Sequence, residues 1–176
     1  WSVKTENDSV RFVTDIPNEI HSDLYKNKLI GHPFFGDNEK HIQWVAEKNW
    51  VYEKDFDVDS SFLSNEDLEL VFDGIDTYSE IYLNEKLILQ TDNQFRQWNV
   101  DVNSILKTSN NKLKVLIRSP FEIENRKAKA YGFQPPSDSR IFTRKAAYVY
   151  GWDWGPRMVT SGIWKPVKLV GWNGSR

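Results

Sequence analysis

Apolar and polar residues alternate along much of the chain with a period of two. The alternation is clear in WVYEKDFDV (50–58), DLELVFDG (67–74), NKLKVLIRS (111–119) and SGIWKPVKLVGW (161–172). Because neighbouring side chains on a strand point to opposite faces, each stretch predicts a strand with one face in a core. Pro166 cannot donate a ladder hydrogen bond, so the last of these strands is predicted to lie at a sheet edge or to carry a bulge there.

The stretch YSEIYLNEKLILQ (78–90) predicts a β-hairpin. Two short β-rich runs flank Asn84 and Glu85, and asparagine tolerates the positive φ that a tight hairpin turn requires. Glycine would suit the second turn position better than glutamate does. Further on, FRQWNVDV (95–102) predicts another strand, and NSILKT (103–108) is compatible with one helical turn after an asparagine cap.

Helical signals are scarce and concern two stretches. IPNEIHSDLYKNKLIG predicts a short helix with Asn18 as its N-cap and Gly31 as its stop. SPFEIENRKAKAYG predicts a second helix, with Ser119 as cap, Pro120 at the first helical position and Gly132 at the end.

The sequence as a whole predicts an all-β fold. FQPPSDSR (133–140) is typical of a loop, because prolines, serine and aspartate cluster there. There is no internal repeat and no low-complexity linker, so residues 1–176 are expected to form a single domain. Short alternating strands with one or two short helices predict an antiparallel β-sandwich, most simply a jelly roll.

Composition narrows the possible functions. Hydrophobic residues make up 39% of the 176 residues, enough for a core, and the formal net charge is −2. The absence of a basic excess argues against nucleic acid and against an anionic membrane surface as partners. No stretch is apolar for long enough to span a bilayer. There is no cysteine, and the chain begins with tryptophan, which we interpret as a piece of a longer or processed protein.

Common catalytic and cofactor motifs are missing from the sequence. Its three histidines lack ligand-like spacing, so no metal site and no cofactor are predicted, although a β-sandwich of this kind could hold a calcium ion. There is no phosphate-binding glycine loop and no G-x-S-x-G motif. The many acidic residues do not suggest the facing carboxylate pair that a glycosidase needs. The chain therefore shows no self-sufficient catalytic set.

The most unusual segment is AYVYGWDWGPRMVTSGIW (147–164). Asp153 stands between Trp152 and Trp154, with glycines on the outer sides and a proline after the second one. One interpretation is a stiff loop that presents a carboxylate to sugar hydroxyls beside indole faces, which pack well on sugar rings. The other is a tight corner with both tryptophans in the core. The aromatic content of 14% allows both interpretations, since aromatic residues also favour β-rich cores.

Several segments together resemble a known family. RKAAYVYGWDWGPRMVTSGIWKPV (144–167) resembles the signature stretch of the N-terminal domain of β-mannosidases in glycoside hydrolase family 2. VFDGIDTYSEIYLNEKLIL and NQFRQWNVDV resemble the hairpin and following strand of that domain, and the segment from residue 16 to 56 resembles its opening. Two positions depart from the pattern: Asn18 and Glu85 each stand where glycine is usual.

The resemblance implies a galactose-binding-like jelly roll. In such enzymes an immunoglobulin-like domain and a TIM barrel follow, and both catalytic glutamates lie in the barrel. The intact enzyme would remove non-reducing terminal β-D-mannosyl residues with retention of configuration. This chain alone is expected to be inactive, and its intact form is expected in the periplasm or secreted.

The resemblance also assigns roles to residues. Asp153 would hydrogen-bond hydroxyls of the mannose in the −1 subsite, and Trp152 and Trp154 would line or support that pocket. Arg144 would pair with Asp153 or contact the substrate.

The resemblance extends to three further positions, and two other functions stay possible. Asn38, Glu39 and Trp44 also match the family and are assigned to domain packing. Two alternatives stay open: a free-standing carbohydrate-binding module, and a structural domain of another family 2 enzyme such as a β-galactosidase or a β-glucuronidase.

Overall fold

The computed structural model describes residues 1–132 and 139–175. Within these residues the strands are β1 (Ser2–Thr5), β2 (Arg11–Val13), β3 (Trp50–Phe56), β4 (Asp67–Phe72), β5 (Tyr78–Leu83), β6 (Lys86–Asp92), β7 (Trp98–Asp101), β8 (Asn111–Ile117) and β9 (Val167–Trp172). The α-helices are α1 (Ile20–Lys26), α2 (Asn38–His41), α3 (Trp44–Glu47), α4 (Ser60–Leu63) and α5 (Pro120–Tyr131), and two 3₁₀ turns span Ser139–Phe142 and Ala147–Tyr150.

The described strands form two antiparallel sheets. One has the order β2-β1-β3-β8-β5-β6 and the other the order β7-β4-β9. Every neighbouring pair in both sheets is antiparallel. The predicted all-β antiparallel sandwich with few short helices is confirmed. The strand β9 lies at a sheet edge, as predicted from Pro166, but it begins only at Val167, so the first half of the predicted strand 161–172 is not part of it.

One large core lies between the sheets. The alternating residues of the predicted strands are its centre: Trp50 and Tyr52 on β3, Leu68, Leu70 and Phe72 on β4, and Leu113, Val115 and Ile117 on β8 are all buried. Burying such a side chain contributes roughly 1.5–3 kcal/mol. The indole N–H of Trp50 donates to the carbonyl of Val45 at 3.0 Å, so this polar atom is satisfied inside the core.

The predicted hairpin is present between β5 and β6. Asn84 and Glu85 both have positive φ, 51° and 70°, the pattern of a type I′ turn. The Asn84 side chain donates to the carbonyl of Ile105 at 2.9 Å and accepts the backbone N–H of Lys112 at 2.9 Å. These bonds hold the turn while Glu85, which has a Cβ, occupies a conformation that glycine adopts more easily.

The second predicted helix is confirmed as α5. It begins at Pro120 and ends at Gly132, which has a φ of 73° and forms a left-handed cap. Ser119 precedes the helix, but its hydroxyl donates to the carbonyl of Ala46 at 2.8 Å and forms no N-terminal side-chain cap. In the described part of the chain, no helix is long and apolar enough to cross a membrane.

The first predicted helix exists but its bounds were wrong. The helix α1 is capped by Glu19, whose carboxylate accepts the backbone N–H groups of His21 and Ser22. Asn18 does not cap the helix, because its Oδ1 accepts the N–H of Glu19 at 3.0 Å while its amide donates to Asp23. The C-cap is Asn27, whose N–H and side chain both bond to the carbonyl of Asp23, so the helix ends before Gly31.

Two further expectations need adjustment. The strand β7 (Trp98–Asp101) is shorter than the predicted 95–102. The N–H of Phe95 donates to the side chain of Asn93 at 2.9 Å instead of to a neighbouring strand. After it, the N–H of Leu106 donates to the carbonyl of Val102, so the predicted single turn is present, but the side-chain amide of the predicted cap Asn103 donates to the carbonyl of Glu66 at 2.6 Å. Of the predicted loop 133–140, residues 133–138 lie outside the described residues.

Candidate functional site

A two-residue turn presents the tryptophan-framed carboxylate. The segment Trp152–Gly155, here called the tryptophan turn, is closed by hydrogen bonds from Trp152 N to Gly155 O (3.2 Å) and from Gly155 N to Trp152 O (3.1 Å). Asp153 and Trp154 therefore occupy its tip. Gly151, just before the turn, has a φ of 99°, a conformation that favours glycine. Gly155 lies outside that region, so only one of the two flanking glycines is needed for its backbone freedom.

The side chains of the turn face outward. Trp152 is 52% exposed and Trp154 is 84% exposed, and their rings meet edge to face at 6.2 Å. Asp153 is exposed, and among the described residues its carboxylate has no hydrogen-bond or ion-pair partner. The interpretation of these tryptophans as core residues is therefore wrong. Large exposed aromatic groups grouped in this way mark a surface that is built to be covered.

Grooves lie on both sides of the turn. Asp153 and Trp154 border a groove of about 370 Å³, together with Phe34 and Glu39. Trp152 and Trp154 also border a second groove of about 540 Å³, whose other lining includes Phe34, Tyr148 and Met158. The exposed acid thus borders the first groove, while Trp154 and Phe34 border both this groove and the mostly apolar second one.

The base of the turn is fixed by the segment around α2. The backbone N–H of Arg157 donates to Glu39 Oε1 at 2.7 Å, and its carbonyl accepts Gln43 Nε2 at 2.8 Å. The guanidinium of Arg157 donates to Gln43 Oε1 and lies 5.0 Å from the ring centre of Phe121. Sequence reasoning assigned Glu39 to domain packing and missed that it supports the tryptophan turn.

Of the other two family positions, Trp44 packs against the core and Asn38 makes a hydrogen bond near the surface. The ring of Trp44 lies 6.3 Å from that of the buried Trp50. The side-chain amide of Asn38 donates to the carbonyl of His32 at 2.9 Å. Neither residue contacts the tryptophan turn through a described hydrogen bond, so they shape the domain around the site.

Arg144 is exposed and is held through its backbone. Its carbonyl accepts the N–H of Gln94 at 3.0 Å, within a bridge between residues 93 and 144. Among the described residues its guanidinium forms no ion pair with Asp153. The structure therefore does not bring together the pair that the resemblance suggests.

The neighbouring Lys145 forms a buried ion pair that sequence reasoning missed. Its ammonium group donates to the carboxylate of Asp76 and to the carbonyl of Thr160 at 2.7 Å. Burial lowers the pKa of Lys145, although the Asp76 carboxylate opposes this. The backbone of Asp76 also pairs with Gly162 in both directions, at 2.9 and 3.1 Å. The Asp76–Gly162 bonds tie the chain after the tryptophan turn to the segment before β5, and Lys145 ties the chain before the turn to the same segment.

The chain before the tryptophan turn is anchored by Glu124 on α5. This buried carboxylate accepts the hydroxyl of Tyr150 and, at 2.7 Å, that of Thr143. Burial, together with the hydrogen bond to Glu124, raises the pKa of Tyr150 far above its ordinary value. The tryptophan turn thus projects from a segment that is fixed on both sides.

This arrangement suits the binding of a ligand that carries hydroxyl groups. In the part of the chain that the structure describes, no group of three or more histidine, aspartate or glutamate residues could hold a metal ion. An exposed carboxylate can accept hydrogen bonds from two adjacent hydroxyls, and indole rings beside it can pack on a sugar ring.

The chain is similar to known proteins along most of its length. The chain is 31% identical to the β-mannosidase of Mus musculus, over 98% of this chain and 21% of that protein. It is 36% identical to β-mannosidase B of Thermothelomyces thermophilus, over 89% of this chain and 19% of that protein. The crystal structure of β-D-mannosidase from Dictyoglomus thermophilum matches with a TM-score of 0.94 and 45% identity, over 98% of this chain and 22% of that one.

The chain thus spans about a fifth of the length of each of these relatives. Residues 1–165 also match the family model described as glycosyl hydrolase 2 galactose-binding domain-like. That match covers most of the chain and agrees with the two-sheet architecture. The chain belongs to the galactose-binding-like domain family of family 2 glycoside hydrolases.

Proposed function

We propose that this chain is the amino-terminal sugar-recognition domain of a retaining β-mannosidase, which hydrolyses non-reducing terminal β-D-mannosyl residues. The relatives that carry this name match the chain along nearly its whole length. Because the chain spans about a fifth of those proteins, the bond-breaking glutamates are proposed to lie in a barrel domain that follows an immunoglobulin-like domain. The domain described here would supply part of the substrate pocket.

The observation that carries the proposal is the unpaired carboxylate of Asp153. It stands at the tip of a fixed turn, between two exposed indoles and on the wall of a groove. In the complete enzyme it would accept hydrogen bonds from mannose hydroxyls in the −1 subsite, with Trp152 and Trp154 lining or supporting the pocket. Bonds from hydroxyls to a charged acceptor are stronger than neutral ones, especially once water is excluded.

The exposed aromatic grooves support a role in a larger assembly. Ligand sites bury most of the surface of a small ligand, whereas the grooves beside the tryptophan turn are open. We propose that the catalytic domain covers them and completes the pocket. The isolated chain would then bind mannose only in the millimolar range or more weakly, and would show no hydrolysis of an aryl β-mannoside.

The decisive experiment uses the complete enzyme and an aryl β-mannoside. Asp153→Asn should lower kcat/KM by roughly 10- to 100-fold, since a hydrogen bond to a charged group is worth about 1.5–3 kcal/mol. Asp55→Asn, an exposed acid on β3, is the matched control and should leave kcat/KM unchanged. An unchanged kcat/KM in Asp153→Asn with unchanged thermal unfolding would refute the role of this residue.

A further inference from the structure

A separate groove of about 660 Å³ lies between β6, β7 and helix α5. It shares no lining residue with the two grooves beside the tryptophan turn. Its polar, charged and aromatic lining includes Gln90, Asp92, Arg96, Trp98, Arg126 and Lys127. We call it the basic groove.

Positive charge in the basic groove exceeds what its own acids neutralise. Arg96 and Arg126 are exposed, and among the described residues neither guanidinium has a carboxylate partner. Lys127 donates to uncharged groups, the Tyr78 hydroxyl at 3.0 Å and the Phe142 carbonyl at 3.2 Å. In a chain whose net charge is −2, this local surplus is not a general property of the surface.

The acids that line the basic groove do not remove this surplus. Glu80 is bound to Arg118, with its Oε1 3.0 Å from the guanidinium, so these two charges cancel each other. The remaining lining acid is Asp92, against the three lining cations Arg96, Arg126 and Lys127. Guanidinium groups bind carboxylates and phosphates in a planar, two-pronged geometry, so the chemistry points to a ligand with negatively charged oxygens.

The uncharged lining points to a sugar rather than to a simple anion. Trp98 is half-buried, and its indole N–H donates to the Asn93 carbonyl at 3.3 Å. The guanidinium carbon of Arg96 lies over the indole, 4.4 Å from the ring centre. The exposed Gln90 amide can donate to and accept from hydroxyls. The volume falls in the range of small-molecule sites and is far larger than an inorganic anion requires.

We propose that the basic groove binds an acidic oligosaccharide, with uronic acid carboxylates on Arg96, Arg126 and Lys127 and a sugar ring beside Trp98. A second sugar site on this domain would hold acidic glycan chains near the molecule independently of the tryptophan turn. The proposal does not rest on the function proposed for Asp153, and its failure would leave that function untouched.

The test is a titration of the isotope-labelled 176-residue chain, followed through the indole N–H resonance of Trp98. The probes are a mannuronate trisaccharide, the neutral trisaccharide mannotriose, and inorganic phosphate. We expect the mannuronate trisaccharide to shift the Trp98 signal and to bind at least tenfold more tightly than the other two. The double variant Arg96→Gln/Arg126→Gln should weaken this binding at least tenfold.

The control is Lys129→Gln, which removes a charge from the same helix outside the groove and should change the affinity less than twofold. Equal binding of mannotriose would overturn the role of charge, and equal binding of phosphate would overturn the role of the sugar. A loss in Lys129→Gln as large as in the double variant would show only diffuse attraction and would also overturn the site. Thermal unfolding of each variant checks that the fold is kept.

Discussion

Glu39 on α2 accepts the backbone N–H of Arg157, 118 residues further along the chain, at 2.7 Å. This bond joins a short helix near the start of the chain to the residue that follows the tryptophan turn by two positions. Because Glu39 also borders the groove beside Asp153, the same side chain supports the turn and forms part of the wall that the turn faces. The position of Asp153 therefore depends on a residue far away in sequence.

The first prediction concerns this bond. Glu39→Ala leaves the Arg157 N–H unpaired, so amide hydrogen exchange in the peptide 152–157 should accelerate at least tenfold at its hydrogen-bonded N–H groups, those of Trp152, Gly155 and Arg157. Glu39→Gln keeps an acceptor at the same place and should exchange nearly as slowly as the parent chain. Hydrogen exchange followed by mass spectrometry measures both. Equal protection in Glu39→Ala and the parent chain would contradict a supporting role for Glu39.

The second prediction compares the two glycines that flank the turn. Gly151→Ala should lower the free energy of unfolding by about 1–3 kcal/mol, because its φ of 99° and ψ of 152° lie in a region that a residue with a Cβ hardly adopts. Gly155→Ala should be nearly neutral, since its φ is ordinary and a Cβ would meet Trp152 only at 3.7 Å. Urea unfolding of the two variants provides the comparison. Similar losses in both would show that the turn is not fixed as described.

The fold could be predicted from local patterns because each pattern has a local cause. Alternation placed the strand faces correctly, and Pro120 and Gly132 marked the ends of α5. The N-cap of α1 was predicted one residue too early. Asn18 and Glu19 can both cap a helix, and the choice depends on Asp23, which binds the Asn18 side chain once the helix has formed.

The candidate site was predicted in part for a similar reason. Asp153 and its tryptophans stand next to one another in the sequence, so their unusual pattern is visible there. The residues that hold the segment in place, among them Glu124 and the Lys145–Asp76 pair, are separated from their partners by long stretches of chain. Single acids and lysines that lie so far apart in sequence form no recognisable motif. Only the tertiary structure shows that they are partners.

The third prediction concerns the buried pair. Lys145→Ala would leave the Asp76 carboxylate buried without its counter-ion and should cost about 3–5 kcal/mol of unfolding free energy. Lys168→Ala breaks a surface pair with Asp73 and should change stability very little, because water solvates and screens both groups. Urea unfolding of both variants tests the contrast. If both variants lost the same unfolding free energy, the buried pair would not stabilise the fold more than a surface pair does.

The last prediction is a pH dependence that arises from Asp23. This buried carboxylate accepts from Thr14 and Asn18 through one oxygen, while among the described residues its Oδ2 has no hydrogen-bond partner. Burial, only partly offset by the Thr14 hydrogen bond and by Lys26, raises its pKa from 3.8 to about 6.

The direction in which stability changes with pH follows from the protons bound by the folded and unfolded chains. Between about pH 4 and pH 6 the folded chain holds a proton on Asp23 that the unfolded chain has lost, so this group's contribution to stability falls as the pH rises through that window. Glu19 acts in the opposite direction, since hydrogen bonds from His21 and Ser22 lower its pKa despite its burial. The comparison with a variant at position 23 isolates the contribution of Asp23.

Asp23→Asn keeps the acceptor oxygen for Thr14 and Asn18 and cannot ionise. The difference in unfolding free energy between this variant and the parent chain should therefore shift in favour of the variant from pH 4 to pH 7, and level off above pH 6. Urea unfolding at pH 4, 5, 6 and 7 measures this difference. A difference that stays constant over the range would show that Asp23 does not titrate there in the folded chain.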